Sequence, residues 1–365
     1  MATSYPIRPI TDDEIAAFLT MDQHAFHEGP RSARSRANFL ARVELDRTLA
    51  AFDGATIVGG TGIYSFQMRV PGAMAAVAGV SLVSVLPTHR RRGVLTALMR
   101  RQLADVSERG EAVAALFGSE SGIYGRYGYG RASWFAAYRL HRGEGALAPG
   151  GPADPRLRLR IVEPLAARAE LAKVYDLALT ERPGLYARTE PWWDRLLTDL
   201  HSDGETPQPI RCVLAEDDSG PRGYAVFTST GRWDEDAFLP EGVLDLSELM
   251  ATDPAATAAL WGNLLSRDLV SEFHARLRPV DDPLLYLLAD PRRVRSVVTD
   301  GLWIRLVDVA SAHTGSTTSA GAEVRSQVAR KPAGATAVAA VSRQRPAFCG
   351  HSSSATSMTT STGQA

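Results

Sequence analysis

Apolar and polar positions keep changing period along the first third of the chain, and those changes mark its elements. "YPIRPI" (Tyr5–Ile10) reads as a short strand. "TDDEIAAFLTMDQHAF" turns helical, with Thr11 placed to cap it and acids in the first turn, where they complement the helix dipole. Two β-rich runs in "RTLAAFDGATIVGGTGIYSFQMRVPG" flank Asp53-Gly54, a dipeptide that favours a type I′ hairpin turn. "MAAVAGVSLVSVLP" predicts a longer strand that ends at Pro87. Directly after it, Leu95, Leu98, Met99, Leu103 and Val106 share one helical face, and the pattern stops at Gly110. "AVAALF" adds another buried strand. The expectation is a mixed sheet whose central strand runs straight into a helix.

Proline and glycine gather at Gly143–Pro155, "GEGALAPGGPADP", which reads as a linker. Beyond it a similar order of elements returns. "LRLRIVEP" is strand-like, "LAARAELAKVYDLALTE" helical, "IRCVLAEDDSGPRGYAVFTST" a hairpin and "GVLDLSELMA" a strand. "DPAATAALWGNLLSRDL" then opens a helix on Asp253-Pro254. The expected organisation is α/β with mixed sheets: one domain over 1–142, a linker over 143–155, a second domain over 156–300 and an atypical tail over 301–365. After "GLWIRLVDV", ending at Val309, the chain contains no leucine or isoleucine, one aromatic (Phe348) and one acid (Glu323). Ordering costs roughly 1–2 kcal/mol per residue, and such a composition buries too little surface to offset it. Disorder is expected there.

Composition changes the picture only by exclusion. At 365 residues, 45% hydrophobic and 22% charged, the chain has material for two or three packed domains. A formal net charge of -1 argues against wholesale nucleic-acid or polybasic membrane binding, so any anion site must be local. The first residues carry acids where a signal peptide is apolar, and no run is long enough to span a bilayer. A cytoplasmic location is expected. Cys212 and Cys349 have neither metal-ligand nor disulfide spacing, so no metal is expected.

The unusual chemistry lies in "PTHRRRGVLTALMRR". A helix N-terminus leaves backbone N–H groups unpaired and carries about half a positive charge. If Arg91, Arg92, Gly93 and Val94 form the turn into the helix, their amides and guanidinium groups suit a pyrophosphate, and Gly93 admits close approach. The glycine spacing is neither a Walker loop nor a dinucleotide fingerprint. From this stretch alone, a solvated basic helix start is the alternative. Downstream, "GSESGIYGRYGYG" combines three tyrosines with closely spaced glycines, which on spacing alone reads as packing aromatics in a tight loop.

Strand, then R-x-x-G at Arg90–Gly93, then amphipathic helix resembles the acetyl-CoA site of the GNAT N-acetyltransferases. That family commonly has glycine or alanine where this chain has Leu95. "PTHRRRG" followed by "GSESGIYGRYGYG", with "DGLWIRLVDV" later, is similar to one branch, the Eis (enhanced intracellular survival) acetyltransferases, over most of Met1 to Val309. The resemblance implies two tandem GNAT-like domains, the first catalytic and the second without cofactor. A sterol-carrier-like third domain would follow, here a remnant or missing. It implies acetyl-CoA as co-substrate, a homohexamer, and amine acceptors: aminoglycosides, other polyamines or lysine side chains.

Carried over by motif, Val83, Ser84 and Val85 would hold the pantetheine arm and acetyl group through their backbone. Arg91, Arg92, Gly93, Val94, Leu95 and Thr96 would cradle the phosphates. Ser119 and Glu120 would line the far side. Tyr124 would protonate the departing thiolate, since a phenol with a pKa near 10 is already protonated at neutral pH. Phe26 and Glu28 would face the cationic acceptor, although Glu28 by itself reads as an ordinary surface acid. His89 reads as a turn residue and Cys212 as a core residue. The family's base is its own C-terminal carboxylate, and nothing near Ala365 in "TSTGQA" matches that terminus. A frame slip after about Val309 or a divergent tail would both produce this ending. The alternative function is therefore an acyl-CoA-binding oligomeric scaffold that has lost its base.

Overall fold

The structure, a computed structural model, describes residues 5–198 and 208–314. The first half comprises β1 (Ile7–Pro9), α1 (Ile15–Phe26), α2 (Ala33–Leu40), β2 (Leu49–Asp53), β3 (Thr56–Val70), β4 (Ala73–Val85), α3 (Val94–Glu108), β5 (Val113–Phe117), α4 (Ser121–Tyr124) and β6 (Gly130–Arg131). After β7 (Trp134–His141) come β8 (Arg158–Val162), α5 (Arg168–Glu181), α6 (Glu190–Leu197), β9 (Ile210–Asp217), β10 (Gly220–Thr230), β11 (Gly242–Ala251), α7 (Pro254–Leu265) and β12 (Val270–Pro279). β13 (Arg295–Asp300) and β14 (Leu302–Leu306) close the series. A helical turn, Val309–Thr314, comes next, and the rest of the tail, with Cys349 and Ala365, lies outside the described residues.

Among the described residues the strands form two seven-stranded sheets, ordered β1-β2-β3-β4-β5-β14-β6 and β13-β7-β12-β11-β10-β9-β8. Neither sheet follows the chain strictly. β7, from the segment before residue 142, pairs with β12 and β13, while β14, from beyond residue 300, pairs with β5 and β6. The two halves therefore exchange strands, and neither sheet is complete without the other's sequence.

Local chemistry explains the elements around the first sheet. Thr11 and Glu14 form a reciprocal capping box over the short turn before α1. α1 then lies directly on β3, where a Cβ on Gly60 would fall 2.3 Å from the Phe18 ring. Phe18 and Met21 are buried at that contact and Leu19 in the surrounding cluster, each contributing roughly 1.5–3 kcal/mol of transfer free energy. α3 packs on the opposite face of the sheet through Val94, Leu98, Met99 and Val106, since a Cβ on the adjacent Gly59 would meet Val94 and Leu98. Leu95 and Leu103, expected on the same stripe, are only partly buried against the neighbouring cluster. Gln102 takes a fully buried place instead, donating to Thr61 Oγ1 at 2.7 Å and the Gly62 carbonyl at 3.1 Å.

Candidate active site

β4 and β5 run parallel but pair only at Val77–Val113, Ala78–Ala114 and Gly79–Ala115. β4 then continues to Val85 alongside β3, whereas β5 ends at Phe117. Two β4 residues, Leu82 and Val83, stand where β3 offers one, and Leu82 adopts a positive φ of 56°. Such a bulge bends the strand and re-aims the residues beyond it. A cleft of about 810 Å³ opens here, lined by Val83–Val85, the α3 start, the end of α1 and the α4 loop.

The turn into α3 supplies bare amides. Gly93 sits at the N-cap with φ 81°, and no side chain caps the helix. Only glycine enters this left-handed region at no steric cost. Arg91 also has a positive φ, 61°, a conformation that costs about 1–2 kcal/mol for a residue with a Cβ. Arg91, Gly93, Val94, Leu95 and Thr96 all line the cleft. Arg92 does not: its guanidinium donates to the Tyr5 hydroxyl at 3.2 Å, outside the cleft wall. The two arginines should therefore separate in experiment. Arg91→Ala is expected to weaken acetyl-CoA affinity by roughly 10- to 100-fold, the worth of one charge-assisted hydrogen bond, with Arg92→Ala near neutral. Calorimetric titration at fixed ionic strength checks both.

Tyr124, Ser119 and Glu120 line the far side of the cleft. Tyr124 is buried, and burial first, then the nearby Glu120 carboxylate, pushes its phenol up to about 12. It stays protonated throughout the neutral range. Its ring meets Tyr129 edge-on at 6.1 Å, and the neighbouring Tyr127 hydroxyl lies 3.2 Å from Thr96 Oγ1. A strand from the far end of the chain secures this loop: the Arg305 guanidinium on β14 donates to the Tyr127 carbonyl. The loop's geometry thus depends on "DGLWIRLVDV" as well as on its own glycines.

Phe26 lines the cleft from the end of α1, with Ala25 and His27. Glu28 is not among the lining residues; its carboxylate pairs with Arg31 at 3.7 Å. His89 reaches the cleft rim but is engaged with Thr88 Oγ1 at 2.8 Å and Asp53 Oδ2 at 3.3 Å. Cys212 is fully buried in the second half. Sequence reading left Arg90, Ile123, Arg126 and Tyr127 out of the cleft lining, and it passed over Asp22 and Arg31 behind the wall. Asp22 falls on the buried face of α1 among Phe18, Leu19 and Met21, and an acid on an apolar stripe was the available signal.

Known proteins decide the family. An acetyltransferase (GNAT) domain family matches residues 6–132, and a second acetyltransferase (GNAT) domain family matches 184–306. An uncharacterized N-acetyltransferase of Streptomyces avermitilis is 40% identical over 321 residues, covering 87% of this chain and 77% of that protein. N-acetyltransferase Eis of Mycobacterium bovis is 33% identical over 313 residues, covering 83% and 74%. The chain belongs to the Eis-like GNAT N-acetyltransferases. The crystal structure of Eis1 from Mycobacterium abscessus superposes with a TM-score of 0.69 at 34% identity, covering 86% of this chain and 76% of that one. A GCN5-related N-acetyltransferase from Anabaena variabilis, 18% identical with a TM-score of 0.70, shares the fold. The protein is an N-acetyltransferase built from two tandem GNAT domains.

The second GNAT domain repeats the frame of the first with different chemistry. β11 and β12 pair in parallel from Gly242–Val270 to Leu246–Ala275, and β11 then continues alongside β10 alone toward α7. Here the Asp253 carboxylate caps the helix, accepting from the Ala256 amide at 2.9 Å, and Arg222 holds it at 2.9 Å. The diverging strands are bridged by the buried Arg278 of β12. Its guanidinium donates to the Leu249 carbonyl on β11 at 3.5 Å and pairs with Asp282. A phosphate approaching α7 would meet a carboxylate already in place.

Proposed function

We propose that this N-acetyltransferase passes the acetyl group of acetyl-CoA directly to a primary amine of a cationic acceptor, with both substrates bound at once and no acyl-enzyme. GNAT membership implies acetyl-CoA use. What supports the reading most is one juxtaposition: an uncapped helix start with Arg91 and a protonated Tyr124 line the same cleft. In this reading Val83, Ser84 and Val85 hold the pantetheine arm, the turn at Arg91–Thr96 holds the phosphates, and Ser119 and Glu120 flank the cofactor. Phe26 faces the acceptor, whereas Glu28, outside the cleft lining and paired with Arg31, acts on it through charge alone. Arg92, being engaged with Tyr5, contributes long-range charge only.

Acceptors in this reading are aminoglycosides, other polyamines or lysine side chains, and the protein works as a cytoplasmic homohexamer. Among the described residues no helix is long and apolar enough to cross a membrane. Acetyl-CoA-dependent thiol release with a panel of aminoglycosides, spermidine and a lysine peptide, with mass analysis of products, is the test. Acetyl-CoA binding without amine-dependent thiol release would instead support the acyl-CoA-binding scaffold.

A further inference from the structure

Asp22 sits one helical turn before Phe26, behind the cleft wall, and is 2% exposed. Among the described residues its Oδ1 has no hydrogen-bond partner, an uncommon state for a carboxylate so deeply placed. Oδ2 meets Arg31 Nη2 at 3.4 Å, and Arg31 is shared with Glu28 at 3.7 Å, so both contacts are long. Ser84 lines the cleft on β4 just past the bulge, and its hydroxyl contacts Met21, the residue before Asp22, without a hydrogen bond to the carboxyl itself. Ser84 Oγ lies 3.3 Å from the Leu82 carbonyl and 3.5 Å from Met21 Sδ, neither of them close. The hydroxyl is therefore free to turn toward Asp22.

We propose that Ser84 and Asp22 form the proton exit for the acceptor amine, with Ser84 contacting the ammonium and Asp22 receiving its proton. The inference rests on the amine-acetylation reading above. An ammonium N–H bond breaks as Ser84 Oγ takes that proton, and the Ser84 O–H bond breaks as Asp22 Oδ1 takes the other. The neutral amine then attacks the thioester carbonyl. Asp22 returns its proton to solvent after product leaves, so no other reactant is needed. Buried and facing one long ion pair, the Asp22 carboxyl is pushed up to about 6, still ionised at neutral pH and a better base than a surface aspartate. The charged groups that face it are Arg31 and Glu28, from the segment between α1 and α2. β4 presents the uncharged Ser84, and β3, packed on the same helix face, presents Gly60.

The test is the pH profile of kcat at saturating aminoglycoside or polyamine, for the full chain and for Asp22→Asn. The wild type should lose turnover on the acid side with a midpoint near 6. Asp22→Asn should lose roughly 100-fold at pH 7, and its acid limb should move up toward the pKa of the acceptor amine itself. At high pH, where the acceptor is already neutral, the two curves should converge. KM for acetyl-CoA should not change. A uniform loss at every pH means a structural role, and an unmoved limb means another base; either result overturns the proposal. If Asp22→Asn does not fold, Ser84→Ala decides the matter by the same criterion, a shifted limb supporting and an unshifted one overturning. Wild-type turnover in the same titration separates this failure from failure of the amine-acetylation reading, which would leave no turnover to profile.

Discussion

Tyr124→Phe should cut kcat by roughly 100- to 10,000-fold while leaving acetyl-CoA affinity and thermal stability close to those of the wild type. The ring stays, so its edge contact with Tyr129 and its fit beneath Gly118 stay with it. Only the hydroxyl goes. A buried phenol pushed up to about 12 never lacks its proton at neutral pH, but its anion is costly there, well above a thiol with a reference pKa near 8.5. In the proposed reading, proton delivery to the sulfur is therefore concerted with recovery of a proton from the tetrahedral nitrogen, which sheds one as the amide forms. Removing the hydroxyl breaks that relay at the step where carbon–sulfur cleavage develops charge. Single-turnover rates with an aminoglycoside acceptor, beside KM for acetyl-CoA, measure the effect. Wild-type turnover in a chemistry-limited regime would assign thiolate protonation to another group.

Alternating periods along the first third were enough to place β4, its sharp end near Pro87 and α3, because these elements are specified by local apolar spacing and by glycine at their ends. Thr11 as a cap and the helix opening on Asp253-Pro254 were legible from residue type at a helix start, whereas the reciprocal bond from Glu14 appeared only in the structure. The exchange of β7 and β14 was not legible. Strand pairing between positions as far apart as Val113 and Leu306 leaves no trace in local periodicity, only in a motif such as "DGLWIRLVDV" whose purpose appears once Arg305 reaches the Tyr127 carbonyl. Arginine adjacency likewise hid a division of labour. Arg91 and Arg92 look equivalent in a row of three, yet alternating backbone conformations send one to the cleft and the other to Tyr5. Asp22 was hidden by its neighbours: three acids open the turn before α1, and one more acid further along attracts no notice until its burial is known.

Gly93→Asp should raise the Kd for acetyl-CoA by at least roughly 100-fold, more than Gly93→Ala at the same position. The two GNAT domains of this chain differ at this point. α7 begins on Asp253, whose carboxylate satisfies a first-turn amide, and α3 begins on Gly93, where nothing does. An aspartate at 93 would place a negative charge against the amides that the proposed reading gives to phosphate. Two lost charge-assisted hydrogen bonds, at about 1.5–3 kcal/mol each, already exceed a factor of about 100 before repulsion is added. Alanine tests the backbone alone. With φ at 81° it imposes strain of about 1–2 kcal/mol on whichever state holds that conformation, but brings no charge. The difference between the two variants thus isolates the electrostatic part. It should shrink as ionic strength rises, since the site opens to solvent and salt screens it. Calorimetric titration of both variants at low and high salt measures this directly. Equal losses for alanine and aspartate would mean that the turn's shape, not its bare amides, carries cofactor binding.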